Sequence, residues 1–150
     1  MKDYDIIVIG GGHAGIEAAS AAARQGFSTL MITQSIDAIG RLSCNPAIGG
    51  LAKGNLVREI DALGGEMGRL IDMSQIQFRM LKKSRGPAVH APRAQADKFT
   101  YSRNAKELME HTKNLELFMD TVVDLLTEDG KIIGVVPSYT FSFLSIVFLF

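Results

Sequence analysis

Cysteine is nearly absent: Cys44 is the only one in 150 residues. That excludes an internal disulfide framework and a metal site built from the cysteines of one chain. Charge of either sign is not in excess, with 16 Lys plus Arg against 16 Asp plus Glu. No global field therefore draws the chain toward nucleic acid or a membrane surface. There is no internal repeat and no low-complexity linker, and Met1-Lys2-Asp3-Tyr4 does not open a secretory signal. A cytoplasmic setting with no membrane association is the expectation. By length the chain is expected to be one domain with a core of ordinary size.

Two absences are local. From Met73 to Ala96 there is no Asp or Glu, while Arg79, Lys82, Lys83, Arg85, His90 and Arg93 all fall in that window. The window reads either as a solvated basic face or as an anion-binding segment for cofactor phosphates or an RNA backbone. Lys82-Lys83-Ser84-Arg85-Gly86-Pro87 is expected to be a loop, since Gly-Pro breaks helices. A basic loop containing glycine is the better anion site, because its backbone donors also turn outward. The second absence is at the C-terminal end, where no charged residue follows Lys131.

What is present is most informative at residues 5–24, DIIVIGGGHAGIEAASAAAR. An apolar run, Ile6 to Ile9, leads into Gly10-Gly11-Gly12-His13-Ala14-Gly15, and an alanine-rich helical pattern follows. Strand, glycine turn and helix N-terminus come in the order that a dinucleotide pyrophosphate needs, and Gly10, Gly12 and Gly15 fit G-x-G-x-x-G. The first glycine permits the turn, the second lets phosphate approach the backbone, and the third lets the helix lie close to the strand. Free N–H groups and the helix dipole favour an anion there. His13 reads as a turn residue rather than a base. An acid for the ribose hydroxyls should close the second strand. Thr33-Gln34-Ser35 stands there instead, and the first acid is Asp37. This weakens a simple NAD site without touching the phosphate argument, which rests on backbone. Glu17 is placed either near the ribose or in solvent.

The remaining pattern is α/β. Strands are expected at 5–10 and 28–33, and a helix at 13–25 ended by Gly26. A Gly- and Pro-rich loop covers 39–50. A helix over 51–63 would bury Leu56, Val57, Ile60 and Leu63 and end at Gly64-Gly65. Residues 66–81 hold a strand or a short helix. A helix starts at Asp97 or Thr100 and runs to about 111, a strand covers 115–124 and continues through 126, and a turn at 128–131 leads into a returning strand at 132–136. The sheet is mostly parallel, and its terminal β-hairpin layer fits a three-layer flavoprotein better than a doubly wound NAD domain.

A longer block is more specific. Ser43-Cys44-Asn45-Pro46-Ala47-Ile48-Gly49-Gly50-Leu51-Ala52-Lys53-Gly54-Asn55-Leu56-Val57-Arg58-Glu59-Ile60-Asp61-Ala62-Leu63-Gly64-Gly65 resembles the signature of the GidA/MnmG family, the tRNA uridine 5-carboxymethylaminomethyl modification enzymes. The resemblance extends to Gly10–Ala18, Gln77-Phe78-Arg79, Lys82–Val89 and Arg93–Asp97, and covers 4 to about 136. It implies a Rossmann-like, FAD-binding three-layer domain, incomplete here, in an enzyme that adds carboxymethylaminomethyl at C5 of a tRNA wobble uridine. It further implies a folate-derived one-carbon unit, NADH as reductant of the flavin, a GTPase partner (MnmE), and a homodimer. Carried over, Gly10, Gly11, Gly12, His13, Ala14 and Gly15 bind the FAD pyrophosphate, Val122 contacts the adenine end through its backbone, and Cys44 is the catalytic redox or nucleophilic residue. A helix N-terminus just after Cys44 would favour its thiolate. A small buried thiol is the competing role. Lys53 aids an anion or is solvated. The related folate-dependent tRNA uridine methyltransferases, or another FAD-dependent oxidoreductase, are the alternatives within enzymes.

The chain departs from the family at His90 and Pro92, where an Arg and a small polar residue are expected. It departs more at 137–150, PSYTFSFLSIVFLF. This apolar tail is shorter than the roughly 20 residues of a membrane span. It reads as out-of-frame sequence or as a buried strand. The expected division is an N-terminal part of an FAD/NAD(P)-binding domain at 1–136 and an atypical tail at 137–150. A chain so truncated is not expected to turn over alone, and a remnant that at most binds a nucleotide is the second reading.

Overall fold

The structure is a computed structural model and describes residues 3–43, 46–139 and 143–149. In chain order the elements are β1 (Asp3–Ile9), α1 (His13–Arg24), β2 (Thr29–Thr33), β3 (Ala47–Gly49), α2 (Lys53–Ala62), α3 (Glu66–Ser74), β4 (Gln75–Leu81), β5 (Ala91–Ala96), α4 (Lys98–Glu110), β6 (Leu115–Met119), β7 (Val122–Glu128), β8 (Lys131–Pro137) and β9 (Phe143–Leu149). The chain divides into two compact units, 1–40 with 106–150, and 41–105.

The first unit is a six-stranded sheet in the order β6-β2-β1-β9-β8-β7. β1 pairs in parallel with β2 and with β9, and β2 in parallel with β6. The edge formed by β9, β8 and β7 is antiparallel. The sheet is thus mixed α/β and parallel around β1, as the sequence pattern requires, and the expected hairpin is β7–β8. Its core holds Tyr4, Ile7, Leu30, Ile32 and Val135, with Ile9, Phe118, Val122 and Leu125 packed against it. β1 and β2 carry near-continuous apolar runs because both their faces are covered. Helix α1 buries Gly15, Ile16, Ala19, Ser20, Ala22 and Ala23, a small-residue face that allows close approach to the strands. Gly26 ends it: at φ +92 its N–H donates to Ala23 O and that of Phe27 to Ala22 O, the paired bonds of a Schellman cap.

The strand expected over 115–126 is two strands, broken at Asp120-Thr121. The break lets the chain leave β2, its parallel partner, and pair with β8 instead. Buried Asp120 fixes it. Its backbone N–H donates to Thr33 O, and its carboxylate accepts from Thr121 N, Ser138 Oγ and Tyr139 N. Within the tail, Pro137 ends β8 and 143–149 forms β9, and positions 140–142 and 150 lie outside the described residues.

The second unit is a three-stranded antiparallel sheet, β3-β5-β4, with α2 and α3 packed together and on it. The expected helix at 51–63 is α2, closed by a second Schellman cap at Gly64 and Gly65, whose N–H groups donate to Asp61 O and Ile60 O. Its buried face differs from the expected one. Leu56 and Leu63 are exposed (57% and 84%), Gly54 is buried, and Gly54, Val57, Arg58 and Asp61 line a cleft. The reason is Gly54: a Cβ there would come within 3.0 Å of Pro92 O, so α2 meets β5 at its glycine and rolls its leucines outward. Residues 66–81, read as a strand or a short helix, are both in succession, α3 running straight into β4. Asp97 is the cap of α4, accepting from Thr100 N at 2.7 Å.

Candidate functional site

The glycine turn follows the carboxyl end of β1, where open α/β sheets bind their ligands. Gly10 takes φ +113, a region closed to most side chains, and its N–H donates to Ile32 O. Gly11 is buried, and its carbonyl accepts from Gly40 N. A Cβ on Gly11 would stand 3.0 Å from Ile39 and Thr33 atoms. Gly15 is the tightest point, since a Cβ there would come within 2.0 Å of Gly10 O. This contact between helix and turn is what the third glycine of the motif was expected to permit.

Gly12 differs from the others. It is exposed, and a Cβ would meet nothing within 4 Å. It stands at the N-cap of α1 without a side-chain cap bond, and the first turn has no acid. The first helical bond runs from Ile16 N to Gly12 O, so the amides of His13, Ala14 and Gly15 have no intrahelical acceptor. Open space beside Gly12, at the positive end of a helix whose N-cap makes no side-chain bond, suits an anion. A pyrophosphate fits this cradle: its oxygens would meet backbone donors, and no side chain of the turn fills the space beside Gly12.

Other predicted residues fall as follows. Val122 opens β7, half-buried against the core of the first unit. It follows Asp120, which is tied to the end of β2 through Thr33, so it belongs to the same carboxyl edge as the turn. Asp37 is engaged elsewhere: Lys106 Nζ donates to it at 2.6 Å. The Lys106 hydrogen bond and charge hold the Asp37 carboxyl below its ordinary range. Ile39 buries beside the turn, but no acid closes β2, in line with the sequence. Glu17 is half-buried on α1. Lys53, in the second unit, opens α2, and burial pushes its ammonium below the usual lysine range. Cys44 and Asn45 lie outside the described residues.

Sequence reasoning missed Asp120. Its role depends on Ser138 and Tyr139, and nothing local announces that meeting. It also missed the cleft of about 230 Å³ in the second unit, lined by Ile48, Val57, Arg58, Asp61, Ile71 and Phe78 among others. No group of three or more His, Cys, Asp or Glu that could hold a metal occurs among the described residues, and no helix there is long and apolar enough to cross a membrane.

A sheet parallel around β1, a glycine turn at its carboxyl edge and an uncapped helix N-terminus define a Rossmann-type dinucleotide-binding protein. The chain belongs to the family described as glucose inhibited division protein A, whose model matches residues 5–147. It is 71% identical over 136 residues to the tRNA uridine 5-carboxymethylaminomethyl modification enzyme MnmG of Borreliella burgdorferi, an alignment covering 89% of this chain and 22% of that protein. Against the enzyme of the same name from Treponema pallidum the identity is 63%, covering 91% and 22%. The structure of Aquifex aeolicus GidA superposes with a TM-score of 0.94 at 50% identity, covering 98% of this chain and 25% of that one. A GidA-related protein from Thermus thermophilus, 22% identical with a TM-score of 0.64, covers 97% of this chain and 52% of its own and shares the fold. The chain spans about a fifth of the length of these curated relatives, 22%.

Proposed function

We propose that this chain is the FAD-binding N-terminal portion of a tRNA wobble-uridine modification enzyme, one that installs carboxymethylaminomethyl at C5. The observation that carries the reading is the 71% identity to an enzyme named for that reaction, within a family whose model matches residues 5–147, the glycine turn included. The geometry of the turn supports it independently, because Gly12 leaves open the space that a pyrophosphate would fill.

In this reading, Gly10, Gly11, Gly12, His13, Ala14 and Gly15 hold the pyrophosphate through backbone amides, and Val122 meets the adenine end through its backbone. When bound, FAD would supply the hydride transfer. The residues themselves bind and orient: α1 directs its positive end at the phosphates, and Gly15 holds the helix against the turn so that those amides converge. Cys44 is the residue assigned to redox or nucleophilic work. NADH as reductant, tRNA as substrate, the GTPase MnmE as partner, a homodimeric whole protein and a cytoplasmic setting complete the proposal. So does the division at 136, with an atypical tail whose coding frame resequencing of the locus would settle.

The test is direct. The purified chain, titrated with FAD and followed by flavin fluorescence, should bind, and ADP should compete because it carries the same pyrophosphate. Saturable binding of riboflavin with none of ADP would defeat the reading, since riboflavin has no phosphate.

A further inference from the structure

A second anion site is built into the small sheet of the 41–105 unit. β4 and β5 are antiparallel, and their register sets Arg79 directly opposite Arg93 and Gln77 directly opposite Gln95. Side chains two apart along a strand share a face. Gln77, Arg79, Leu81, Arg93 and Gln95 line one recess of about 30 Å³. On the β3 side Arg93 is paired with Gly49 and Gln95 with Ala47, so nothing bulky covers the guanidinium from that strand. Gly49 is held as glycine by the sheet itself: at φ +122 its Cβ would come within 2.2 Å of Pro92 O.

This arrangement works against the fold. Like charges directly opposite on paired strands repel. No acid relieves them, because 73–96 contains none, and neither arginine is in an ion pair among the described residues. The flanking Asp97 accepts from Thr100. Cations continue from the recess along the connection between the strands. Lys82, Lys83 and Arg85 are all exposed. Lys82 takes φ +56, and its carbonyl accepts from Arg85 N, which closes the turn. Two guanidinium forks and two amides form a donor-only surface apart from the amide oxygens, and guanidinium forks match phosphate oxygens in pairs. A single phosphate would satisfy the recess. A strip that runs on to the hairpin turn suits a chain of phosphates.

We infer that the Arg79–Arg93 pair and the hairpin beyond it form a phosphate-binding surface that takes the sugar–phosphate backbone of an RNA. The inference rests on the tRNA reading only for the choice of polynucleotide. The recess is built from residues of the 41–105 unit alone, and the glycine turn belongs to the other unit.

The whole chain is used with a fluorescent RNA stem-loop, and anisotropy is read over a salt series. Removing one cation that neutralises a phosphate should flatten the slope of log affinity against log salt by roughly 0.7 to 0.9, so the double variant Arg79→Gln, Arg93→Gln should flatten it by about twice that. Its thermal midpoint should hold or rise, since the repulsion is gone, whereas a structural role for the arginines would lower it. Lys131→Gln, a single exposed cation in the other unit, should leave the slope within error. An unchanged slope in the double variant, a lowered midpoint, or an equal loss from Lys131→Gln would overturn the inference. Inorganic pyrophosphate distinguishes the sources: displacement of RNA at equal phosphate concentration would make free phosphate the ligand and overturn the RNA assignment. Flavin retention, read on the same samples, reports the glycine turn. A chain that fails to bind flavin but keeps the arginine-dependent slope separates the two proposals.

Discussion

The turn at 10–15 and the strand pair at 75–96 are both proposed to meet phosphate, and they are built by opposite means. The turn carries no charged side chain. Its donors are backbone amides fixed by a helix N-terminus, and its selectivity is the space left where Gly12 has no Cβ. The strand pair offers charge: two arginines forced opposite each other by register, with no acid in either strand or in their connection. A backbone cradle is set by one rigid point, here Gly15 on Gly10 O. A guanidinium surface tolerates movement and responds to salt. The first suits one cofactor held in one geometry, the second a long polyanion that must come and go.

The comparison can be broken at its rigid end first. Gly15→Ala puts a Cβ within 2.0 Å of the Gly10 carbonyl, and backbone cannot step aside as a side chain would. A loss of about 3 kcal/mol, the upper part of the ordinary overpacking range, is expected. A urea midpoint equal to the parent's would show that the helix does not depend on this contact. The next effect is at Asp120. Replacing it with Ala strands the Thr121 and Tyr139 amides and the Ser138 hydroxyl, at a cost of about 2 kcal/mol. Hydrogen exchange should quicken at Thr121 and Tyr139, and unaltered protection there would refute the anchoring role.

A smaller effect tests whether the fold tolerates what the binding surface needs. Arg79→Gln alone should shift the thermal midpoint upward by no more than a few degrees, because an opposed like-charge pair is worth about 0.2–1 kcal/mol. A clear fall would mean that the arginine supports the sheet. The smallest effect is the exposed pair Asp37–Lys106. Asp37 has its carboxyl lowered by Lys106, so its contribution is present above the ordinary carboxylate value and lost as pH falls through the lowered one. Lys106 is raised chiefly by the Asp37 hydrogen bond, so its share is present below the ordinary lysine value and lost as pH rises through the raised one. An NMR titration of the Asp37 carboxyl should show a midpoint below 3.8 that returns toward it in Lys106→Met. No change on that substitution would remove the pair from the account.

Legibility in the sequence followed how local each feature is. The turn, α1 and both Schellman ends were readable because glycine spacing and a following helix pattern lie within a few residues. The parallel setting of β1 and β2 followed from the strand–helix–strand order of the pattern. The facing arginines were not readable. The window without acids was visible, but which cations meet depends on the register across the 82–90 connection and on the irregularity between Gln75 and Gln77. The buried face of α2 was misplaced for a related reason: hydrophobicity pointed to Leu56 and Leu63, while the approach of Gly54 to Pro92 decided the rotation. Asp120 was silent because its partners lie in a later strand's exit. No acid closes β2 in the sequence, and the ion pair that holds the nearest one, Asp37, comes from Lys106, 69 residues away.

Gly12→Ala separates binding from folding most cleanly. The residue is exposed at φ −74 with room for a methyl group, so the urea midpoint should stay within about 1 kcal/mol of the parent or rise. The methyl group would occupy the phosphate's place and weaken bonds to a charged ligand, so the dissociation constant for FAD should rise roughly tenfold or more. Parallel titration of parent and variant by flavin fluorescence measures it. An unchanged folding midpoint with weakened FAD binding is the result this account predicts. Equal FAD affinity in the two proteins would contradict it, because the pyrophosphate would then lie somewhere other than the glycine turn.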